Sequence, residues 1–482
     1  MKLYIVYILL LLCATPVNSQ EPQFVWGNKI NREFGKIENM EIIGVDDDGF
    51  FSTYEVEGQI SLEHYNPESK RFWATALLPK TPEGKNATFQ CVQMLKGNLY
   101  MISSSESNGK TQVYAQEINH NGNYTTEIIQ IVQDASGSNI HMAKSPDQNA
   151  ISIVVSDGPG MLVTVTLLTA KLNTRWTQSI TSDGEVQELL VKQDGTTYVL
   201  IRSTAAAPST SAFYLHQLLG KAGSHSKIEL GHTNYRPLKA KLAVTPKGHV
   251  IVSGYVSPSN SVASHHPEPV GTFLYRVEKH NLQDRFAVYT PFNKKFVRDY
   301  KRFKPDNDNS QRLRNLQLDK IIPLQDGSIY LLGEVCEDEN RAGTFVYHNN
   351  DIIITRLHRN GSPVFTTSVT KLQSGTNKQN TIRSYFATTV GDTLKIIYLN
   401  FDHNRTFEDK IAMYSPRSSF KTPVLLTIGP NGDQKVKLLH NTQTGQDQGF
   451  YLRPCSAYKV KGSEYIIIGM GPKFYRYGSM IL

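Results

Sequence analysis

The side chains that most often carry out catalysis are present in this sequence, but they do not form any pattern that defines a reaction. The chain has 14 histidines, scattered along its length. It contains no HExxH zinc motif, no GxSxG nucleophile motif, no glycine-rich phosphate loop and no CxxC pair. From the sequence we therefore nominate no catalytic residue, no metal ligand and no cofactor.

Two short stretches remain as candidates for metal binding. His265 and His266 adjoin in a polar segment, and we interpret them as part of a solvated loop. The run 46–49, Asp-Asp-Asp-Gly, resembles the start of a calcium loop. However, Phe50 and Phe51 stand where an EF-hand needs an oxygen ligand and a glycine. Aspartate and glycine are also typical of hairpin turns, which is the interpretation that the flanking apolar runs favour.

The most distinctive chemistry lies in a basic insert at about residues 293–318. Basic side chains alternate there with Phe296, Tyr300 and Phe303, and its first part is expected to form a short helix ended by Pro305. Such a segment suits an anionic glycan or an acidic protein surface. The alternative is that the aromatic rings dock on the rest of the protein while the charges are solvated. The residues nominated for partner binding are Lys294, Lys295, Arg298, Lys301, Arg302 and Lys304.

The elements that must position these residues are β-strands. In residues 320–371, two apolar runs flank Asp326-Gly327 and two more flank Asn360-Gly361. Asp-Gly and Asn-Gly favour tight type I′ hairpins, because both central residues of that turn need a positive φ. The sequence therefore predicts four antiparallel strands at 320–324, 328–334, 351–358 and 363–369.

The same arrangement of apolar run, turn and apolar run recurs along the chain. Seven copies have a glycine in the turn, and an eighth fills a double-length gap with Asp147, Gln148 and Asn149. A second hairpin follows most copies, and an aromatic residue comes just after its turn. All three tryptophans of the chain occupy this position. The turn glycines are Gly49, Gly97, Gly195, Gly248, Gly327, Gly391 and Gly462, and the aromatic positions are Trp26, Trp73, Tyr124, Trp176, Phe286 and Phe365.

The repeat predicts an all-β fold, a β-propeller of four-stranded antiparallel blades. Eight blades are favoured, and seven are possible. The last copy lacks its fourth strand, and the stretch around Trp26 near the start of the chain would supply it. A terminal blade completed in this way closes a ring and leaves no open sheet edge. The repeat-matched aromatic rings are expected to pack blade against blade rather than to stack on sugars.

The copy at 326–365 resembles the repeats of uncharacterised bacterial exported β-propeller proteins. That repeat has a DG hairpin followed by a D-x-x-x-x-R-L-x-x-N-G-x-x-x-(W/F) pattern, matched here from Asp351 through Arg356 and Asn360 to Phe365. The resemblance implies fold and compartment, and no catalytic residue follows from it. The Asp-box, kelch di-glycine and Trp-Asp signatures of other propeller families do not occur.

Residues 1–19 are expected to be a signal peptide, with Lys2 before an apolar run and small residues before Gln20. Residues 20–482 are then one propeller domain, exported to the periplasm, the cell surface or the extracellular space. Apart from this leader, no stretch approaches a transmembrane helix. Cys91, Cys336 and Cys455 allow at most one disulfide. The formal charge of +8 permits acidic partners, and an exported protein rarely meets nucleic acid, so none is expected.

Two functions from different classes fit this architecture. The first is a non-enzymatic binding scaffold, predicted to be monomeric, that holds a protein or an anionic glycan through loops on one face. The second is a polysaccharide hydrolase or lyase with its site at the mouth of the propeller channel. Three or more Asp, Glu or Arg side chains clustered at that mouth would favour the enzyme. An exposed basic and aromatic patch would favour the scaffold.

Overall fold

The structure is a computed structural model that describes most of the chain from Pro22 to Leu482. Outside the described residues lie 1–21, 32–36, 158–160, 183, 204–212, 221–223, 260–267, 278–281, 283–284, 303–312, 342–343, 372, 377–383, 401–421, 440–449 and 472. The expected signal peptide, the pair His265 and His266, and Lys304 therefore fall outside the described residues.

The described residues form eight antiparallel sheets, arranged as the blades of a β-propeller. Two strands near the start of the chain, β1 (Gln23–Trp26) and β2 (Ile30–Asn31), belong to the last blade. Blade 1 consists of β3 (Ile37–Val45), β4 (Phe50–Val56), β5 (Gln59–Tyr65) and β6 (Arg71–Ala76), and blade 2 of β7 (Thr88–Leu95), β8 (Asn98–Ser107), β9 (Lys110–Ile118) and β10 (Tyr124–Ser136). Blade 3 consists of β11 (Asn139–Lys144), β12 (Ala150–Ser156), β13 (Met161–Thr169) and β14 (Thr174–Ser182), and blade 4 of β15 (Gly184–Val191), β16 (Thr197–Ser203), β17 (Phe213–Leu218) and β18 (His225–Leu230).

The described residues of the second half of the chain form blades 5 to 8 and include one α-helix. Blade 5 consists of β19 (Tyr235–Val244), β20 (Val250–Pro258), β21 (Gly271–Val277) and β22 (Arg285–Pro291), and the helix α1 (Lys294–Arg302) follows it. Blade 6 consists of β23 (Leu316–Pro323), β24 (Ile329–Arg341), β25 (Thr344–Leu357), β26 (Pro363–Val369) and β27 (Gln373–Thr376). Blade 7 consists of β28 (Tyr385–Val390), β29 (Thr393–Asn400), β30 (Thr422–Ile428) and β31 (Gln434–Leu438), and blade 8 contains β32 (Tyr451–Leu452), β33 (Tyr458–Lys461), β34 (Glu464–Met470) and β35 (Phe474–Ile481). Short 3-10 turns cover Leu313–Asn315 and Pro454–Ser456.

Blade 8 closes the ring with strands from both ends of the described chain, as the sequence predicts. The strand β1 pairs antiparallel with β35, and Trp26 lies opposite Gly478. The strand β2 continues the same edge, with Ile30 opposite Tyr475. The inner strand of this blade is divided into β32 and β33, which both pair with β34. The prediction of eight four-stranded blades with N-terminal closure is confirmed.

The hydrophobic core lies between the blades rather than at one centre. Each neighbouring pair of blades shares a cluster of buried residues. The cluster between blade 8 and blade 1 joins Tyr477 and Ile468 to Phe50 and Ile42, which shows that the ring is closed. Because the middle strands bury both faces, they are apolar on both sides; all seven residues of β12 are buried, for example.

The tight turns depend on glycine, but not in the geometry expected at Asp326-Gly327. There only Gly327 has a positive φ, of 87°, and at Asn360-Gly361, where the same turn was expected, only Gly361 has one, of 75°. The Asp326 carboxylate accepts the backbone N–H of Ser328 at 2.8 Å and its hydroxyl at 2.6 Å. Asp326 is not among the residues with a positive φ, so a type I′ turn does not form. By contrast, Lys96-Gly97 has two positive φ values, 49° and 85°, which fit the I′ pattern.

The antiparallel order gives the propeller two different faces. The turns from strand 1 to 2 and from strand 3 to 4 lie on one face, which we call the turn face, and most of them are short. The connections from strand 2 to 3 and from each blade to the next lie on the opposite face, which we call the insert face. This second face carries α1.

Blade 6 departs most from the regular pattern, and it does so at the insert face. Strands β24 and β25 continue beyond the inner strand, from the pair of Cys336 and Asn349 to that of Arg341 and Thr344, and β27 pairs with this extension. The sequence predicts strands that end at 334 and begin at 351. The extension was missed because its residues are mostly polar, without the apolar pattern that marks a buried strand.

The repeat-matched aromatic residues pack between blades, as expected. The Trp73 indole N–H donates to the His120 carbonyl of the next blade at 2.8 Å. A Cβ at Gly122, whose φ is +79°, would lie 2.7 Å from the Trp73 ring. Trp176 lies against Gly220 and Phe365 against Gly432 in the same way. These rings therefore fix the spacing of neighbouring blades.

Candidate functional site

The predicted basic helix is present as α1, on the insert face between blades 5 and 6. Its N-terminus is capped by Asn293, whose side-chain oxygen accepts the Lys295 N–H at 2.8 Å. Phe296 and Tyr300 are four residues apart, so they share one side of the helix. Both are buried in the cluster between blades 5 and 6. The Phe296 ring meets Phe292 edge-on, with 5.5 Å between centroids.

Three of the residues nominated for partner binding lie on the opposite side of α1. Lys294, Lys295 and Arg298 are exposed, and the Arg298 side chain is 72% accessible. Its nearest acidic neighbour, Asp299, is 3.5 Å away. Lys301 and Arg302 form the last residues of the helix. The expected docking of the aromatic rings is therefore found for Phe296 and Tyr300. It leaves Lys294, Lys295 and Arg298 facing solvent.

A groove of about 380 Å³ separates α1 from the outer strand of blade 6. Lys295 and Asp299 line one wall, and β26 with Phe365 and Thr367 lines the other. At the base of the groove, Tyr300 forms a hydrogen bond with Asp351. Burial raises the pKa of the Tyr300 hydroxyl. The helix is thus attached to blade 6 by apolar packing and by a buried polar contact, with an open groove beside its basic side.

A second polar cluster lies in the inner strand of blade 6, and sequence reasoning missed it. Leu318 pairs with Gly333 and Lys320 pairs with Leu332, which leaves Asp319 as an unpaired bulge residue. Bulges redirect a side chain from the regular alternation. The Asp319 carboxylate accepts the Tyr385 hydroxyl of blade 7 at 2.9 Å. Asp319 therefore lies at the contact between the inner strands of blades 6 and 7.

Behind Asp319, a buried ion pair joins blade 6 to the segment that follows its outer strand. The Lys371 ammonium contacts the Glu334 carboxylate, and both side chains are almost fully buried. The Asn349 amide donates to the other carboxylate oxygen of Glu334 at 2.6 Å. Lys371 also donates to Gln373 at 3.1 Å, and Gln373 donates to the Leu399 carbonyl of blade 7 at 2.9 Å. This network fastens the extension of blade 6 to its neighbour.

These surroundings change the acidity of the cluster. Burial, together with the nearby Glu334 carboxylate, raises the pKa of Asp319 to about 7, against the opposing effect of the Tyr385 hydroxyl and the lysines. Burial lowers the pKa of Lys371, although Glu334 opposes this. Burial also raises the pKa of the Cys336 thiol, which makes a reactive thiolate unfavourable. Asp319 is therefore a carboxyl group that can hold a proton near neutral pH.

Only a weak signal for this cluster is present in the sequence. Asp319 and Lys320 interrupt the apolar run LQLDKIIP, which is unusual for an inner strand. The other members, Glu334, Lys371 and Tyr385, come from separate strands and connections. Side chains brought together by pairing across three elements leave no linear motif, and the repeat register did not reveal the bulge.

Charged side chains on neighbouring inner strands form hydrogen bonds with backbone groups at the edges of the next blades. The Glu188 carboxylate of blade 4 accepts the Leu242 N–H of blade 5. The Lys320 amine donates to the Ala387 carbonyl of blade 7 at 3.3 Å. Inner strands are sheet edges, and such contacts pair groups that would otherwise be exposed. Lys241 lies between these groups and interacts electrostatically with both Glu188 and Asp319.

The run 46–49 forms a hairpin turn, as the sequence favours. The Asp46 carboxylate accepts the N–H groups of Asp48 and Gly49 at 3.1 and 2.7 Å. His64 and His120 approach the same carboxylate at 3.6 and 3.8 Å. In the part of the chain that the structure describes, no group of three His, Cys, Asp or Glu residues is placed to hold a metal ion. Within the described residues, Cys91, Cys336 and Cys455 form no disulfide.

Within the described residues, no helix is long and apolar enough to cross a membrane. No protein-family model matches the chain, and no curated protein matches it either. Among solved structures, the chain is similar to hydrazine synthase of Kuenenia stuttgartiensis, with 11% identity, a TM-score of 0.39 and coverage of 72% of this chain and 99% of that one.

Two further structures show the same distant likeness. The β-propeller domain of the Trilobed protease from Pyrococcus furiosus has 9% identity and a TM-score of 0.36, over 86% of this chain and 97% of that one. A PL25 ulvan lyase has 8% identity and a TM-score of 0.39, over 85% and 95%. The β-propeller class of this chain rests on its own sheet topology, and no activity is transferred from these structures.

Proposed function

We propose that the protein is an exported, non-enzymatic propeller that holds an anionic glycan on its insert face. The observation that carries this proposal is the construction of α1. Buried Phe296 and Tyr300 fix the helix to the propeller, while Lys294, Lys295 and Arg298 face solvent. Because the helix backbone is already held in place, little backbone freedom is lost when the three cations bind a partner. This favours a charged, extended partner. The adjacent groove gives such a chain a path along blade 6.

Export and absence of catalysis are parts of the same proposal. Export is supported by the apolar leader, with its small residues before Gln20. The alternative is a polysaccharide hydrolase or lyase at the channel. A glycoside hydrolase of the usual kind needs two carboxyl groups that reach the substrate. Among the described residues, the neighbouring carboxyl groups Asp319 and Glu334 do not fit, because Glu334 is buried and paired with Lys371.

Charge reversal with a matched control tests the site. The test variant is Lys294→Glu, Lys295→Glu and Arg298→Glu. The control is Lys96→Glu, Lys171→Glu and Lys247→Glu, which reverses three exposed charges in turns on the turn face. Both variants change net charge by the same amount. Binding to immobilised heparin, as a probe for anionic glycans, is compared with binding to neutral dextran and to a polyglutamate surface.

We expect the test variant to lose at least about tenfold in affinity for heparin and the control about twofold or less, since exposed charges act mainly at short range in salt. The difference should shrink as the salt concentration rises. Equal losses in both variants would show that only net charge matters, and would overturn the proposal. Preference for polyglutamate over heparin would point instead to an acidic protein partner.

A further inference from the structure

We propose that the mouth of the propeller channel on the turn face binds a small organic anion, that is, a molecule with an apolar body and a single carboxylate or sulfonate group. This site lies on the opposite face from α1 and does not depend on the function proposed for the helix. The residues assigned to it come from the inner strands of four blades and are Ala143, Lys144, Leu189, Val244 and Tyr458.

The first observation is a cavity of about 430 Å³. Pro146, in the first turn of blade 3, lines it and places it on the turn face, and Leu190 and Val244 line it from the inner strands of blades 4 and 5. Tyr458 belongs to blade 8, which stands opposite blade 4 in a ring of eight. A cavity lined from opposite sides of the ring lies in the central channel. Its volume is within the range of about 300–1,000 Å³ that is usual for small-molecule sites.

The second observation is that most of the cavity wall is apolar. Ala143, Leu189, Leu190 and Val244 all line it, and each is only half-buried, so these side chains remain partly in contact with water. The Tyr458 ring is half-buried as well. Covering such surface with an apolar ligand releases water and is favourable in free energy. The wall therefore suits a ligand whose body is apolar.

The third observation is a cation in this wall that lacks a counter-ion. The Lys144 side chain is half-buried, and no described residue is hydrogen-bonded or ion-paired to its ammonium group. Glu41 of blade 1 attracts it only from a longer distance, and the Glu41 side chain is exposed, so water screens much of its effect. Burial lowers the pKa of Lys144. An anionic group on a ligand would supply the missing counter-charge.

Tyr458 adds a neutral hydrogen-bond donor to the same cavity. Its hydroxyl forms no hydrogen bond with any described residue, and burial raises its pKa, so it keeps its proton at neutral pH. Small-molecule sites typically combine an apolar wall with a few polar groups that fix the orientation of the ligand. Lys144 and Tyr458 are such groups here. A positive charge beside a hydroxyl donor favours an anionic head group and disfavours a cation.

A matched pair of fluorescent probes tests the site on the full chain. Anilinonaphthalene sulfonate has an apolar body and one sulfonate group, and phenylnaphthylamine has a similar body without the charge. We expect the sulfonate probe to saturate at one molecule per chain. Lys144→Gln should lower its affinity at least about tenfold and leave the affinity of the neutral probe within about twofold. The control Lys459→Gln removes an exposed charge from the inner strand of blade 8, outside the cavity wall, and should behave as wild type.

Two further variants locate the probes. Val244→Phe fills part of the cavity, so the affinity of both probes should fall at least about fivefold while the melting temperature changes by only a few degrees. Tyr458→Phe removes only the hydroxyl donor, so it should weaken binding of the sulfonate probe about threefold and leave the neutral probe unaffected. The charge-reversal variant of α1 should leave both affinities within about threefold, which separates this site from the helix.

Four outcomes would each overturn the proposal. They are absence of saturable binding by the sulfonate probe, equal losses in Lys144→Gln and Lys459→Gln, unchanged binding of both probes in Val244→Phe, and a loss of the sulfonate probe in the α1 variant that exceeds the loss in Lys144→Gln. The last outcome would place the probe at the helix. An equal loss of both probes in Lys144→Gln would show that the ammonium group does not select the anion, and would overturn the assigned ligand class.

Discussion

At the scale of single residues, the buried Glu334–Lys371 ion pair determines the local structure of blade 6. Both side chains are almost fully buried, which costs several kcal/mol per ion before their attraction is counted. Asn349 and Gln373 supply further hydrogen bonds, so the remaining donors and acceptors of the pair are used. The pair therefore holds the extension of blade 6 against blade 7 only while both partners are present.

Lys371→Met should destabilise the protein by about 3–5 kcal/mol, because it leaves the Glu334 carboxylate buried without its counter-charge. Urea unfolding monitored by tryptophan fluorescence measures this loss. The double variant Glu334→Gln with Lys371→Met removes both charges and should recover most of the stability. A single variant as stable as wild type would show that the pair is not a structural constraint.

Asp319 should make stability depend on pH in a defined direction. Its folded-state pKa of about 7 lies above the unfolded value of about 3.9, so the folded chain binds more protons between these values. Stability from this group is therefore complete below about pH 4 and is lost as pH rises to about 7. Relative to wild type, Asp319→Asn should gain stability across that window, by at most about 4 kcal/mol. Denaturant titrations at several pH values measure the difference, and a constant difference would contradict the raised pKa.

At the scale of elements, strand order and closure were predictable, but the local polar structure was not. The turn residues and apolar runs specify antiparallel hairpins, and the position of Trp26 indicates which strand completes blade 8. The extension at 336–350 and the bulge at Asp319 depend on pairing between polar strands. Hydrophobic periodicity carries no information about such pairs. The candidate site on α1 was accessible to sequence reasoning because its basic and aromatic residues are contiguous.

The attachment of α1 can be tested without changing its charges. Phe296→Ala with Tyr300→Ala removes the two rings that bury one side of the helix. An isolated nine-residue helix is marginal in water, so α1 should unfold locally. Hydrogen exchange of residues 294–302 should become fast while the melting temperature of the propeller changes by only a few degrees.

Heparin affinity should also fall in this variant, although Lys294, Lys295 and Arg298 are intact. The physical reason is that the same cations must then be ordered at the moment of binding. Val364→Ala, in the outer strand beside the groove, is a control that leaves the two docking rings in place. Slow exchange in the double variant, or unchanged affinity despite fast exchange, would contradict the role assigned to a fixed helix.

At the scale of the whole molecule, closure depends on contacts between the two ends of the ring. Arg71 and Tyr475 both donate to the buried Glu63 carboxylate, at 2.6 Å and 2.9 Å. Tyr65 joins the same group from blade 1. The edge of β35 is covered by β1 and β2. Ring closure therefore combines a buried polar contact with backbone pairing.

Removing residues 20–31 should open the edge of β35 and lower the melting temperature. An unpaired strand edge also promotes association between chains. Light scattering should then give a larger mean mass than for a chain beginning at Gln20. A synthetic peptide of residues 20–31 should restore the mass and the stability of that chain. A truncated chain with an unchanged mass and an unchanged melting temperature would contradict closure by the N-terminal strand.

Hydrogen exchange of the full chain, with and without a heparin oligosaccharide, tests most directly whether the proposed partner binds at α1 and the groove beside it. We expect protection confined to residues 293–302 and to residues 363–370, in and just after the outer strand of blade 6. Protection on the turns of the opposite face, or protection spread evenly over basic residues around the ring, would contradict it.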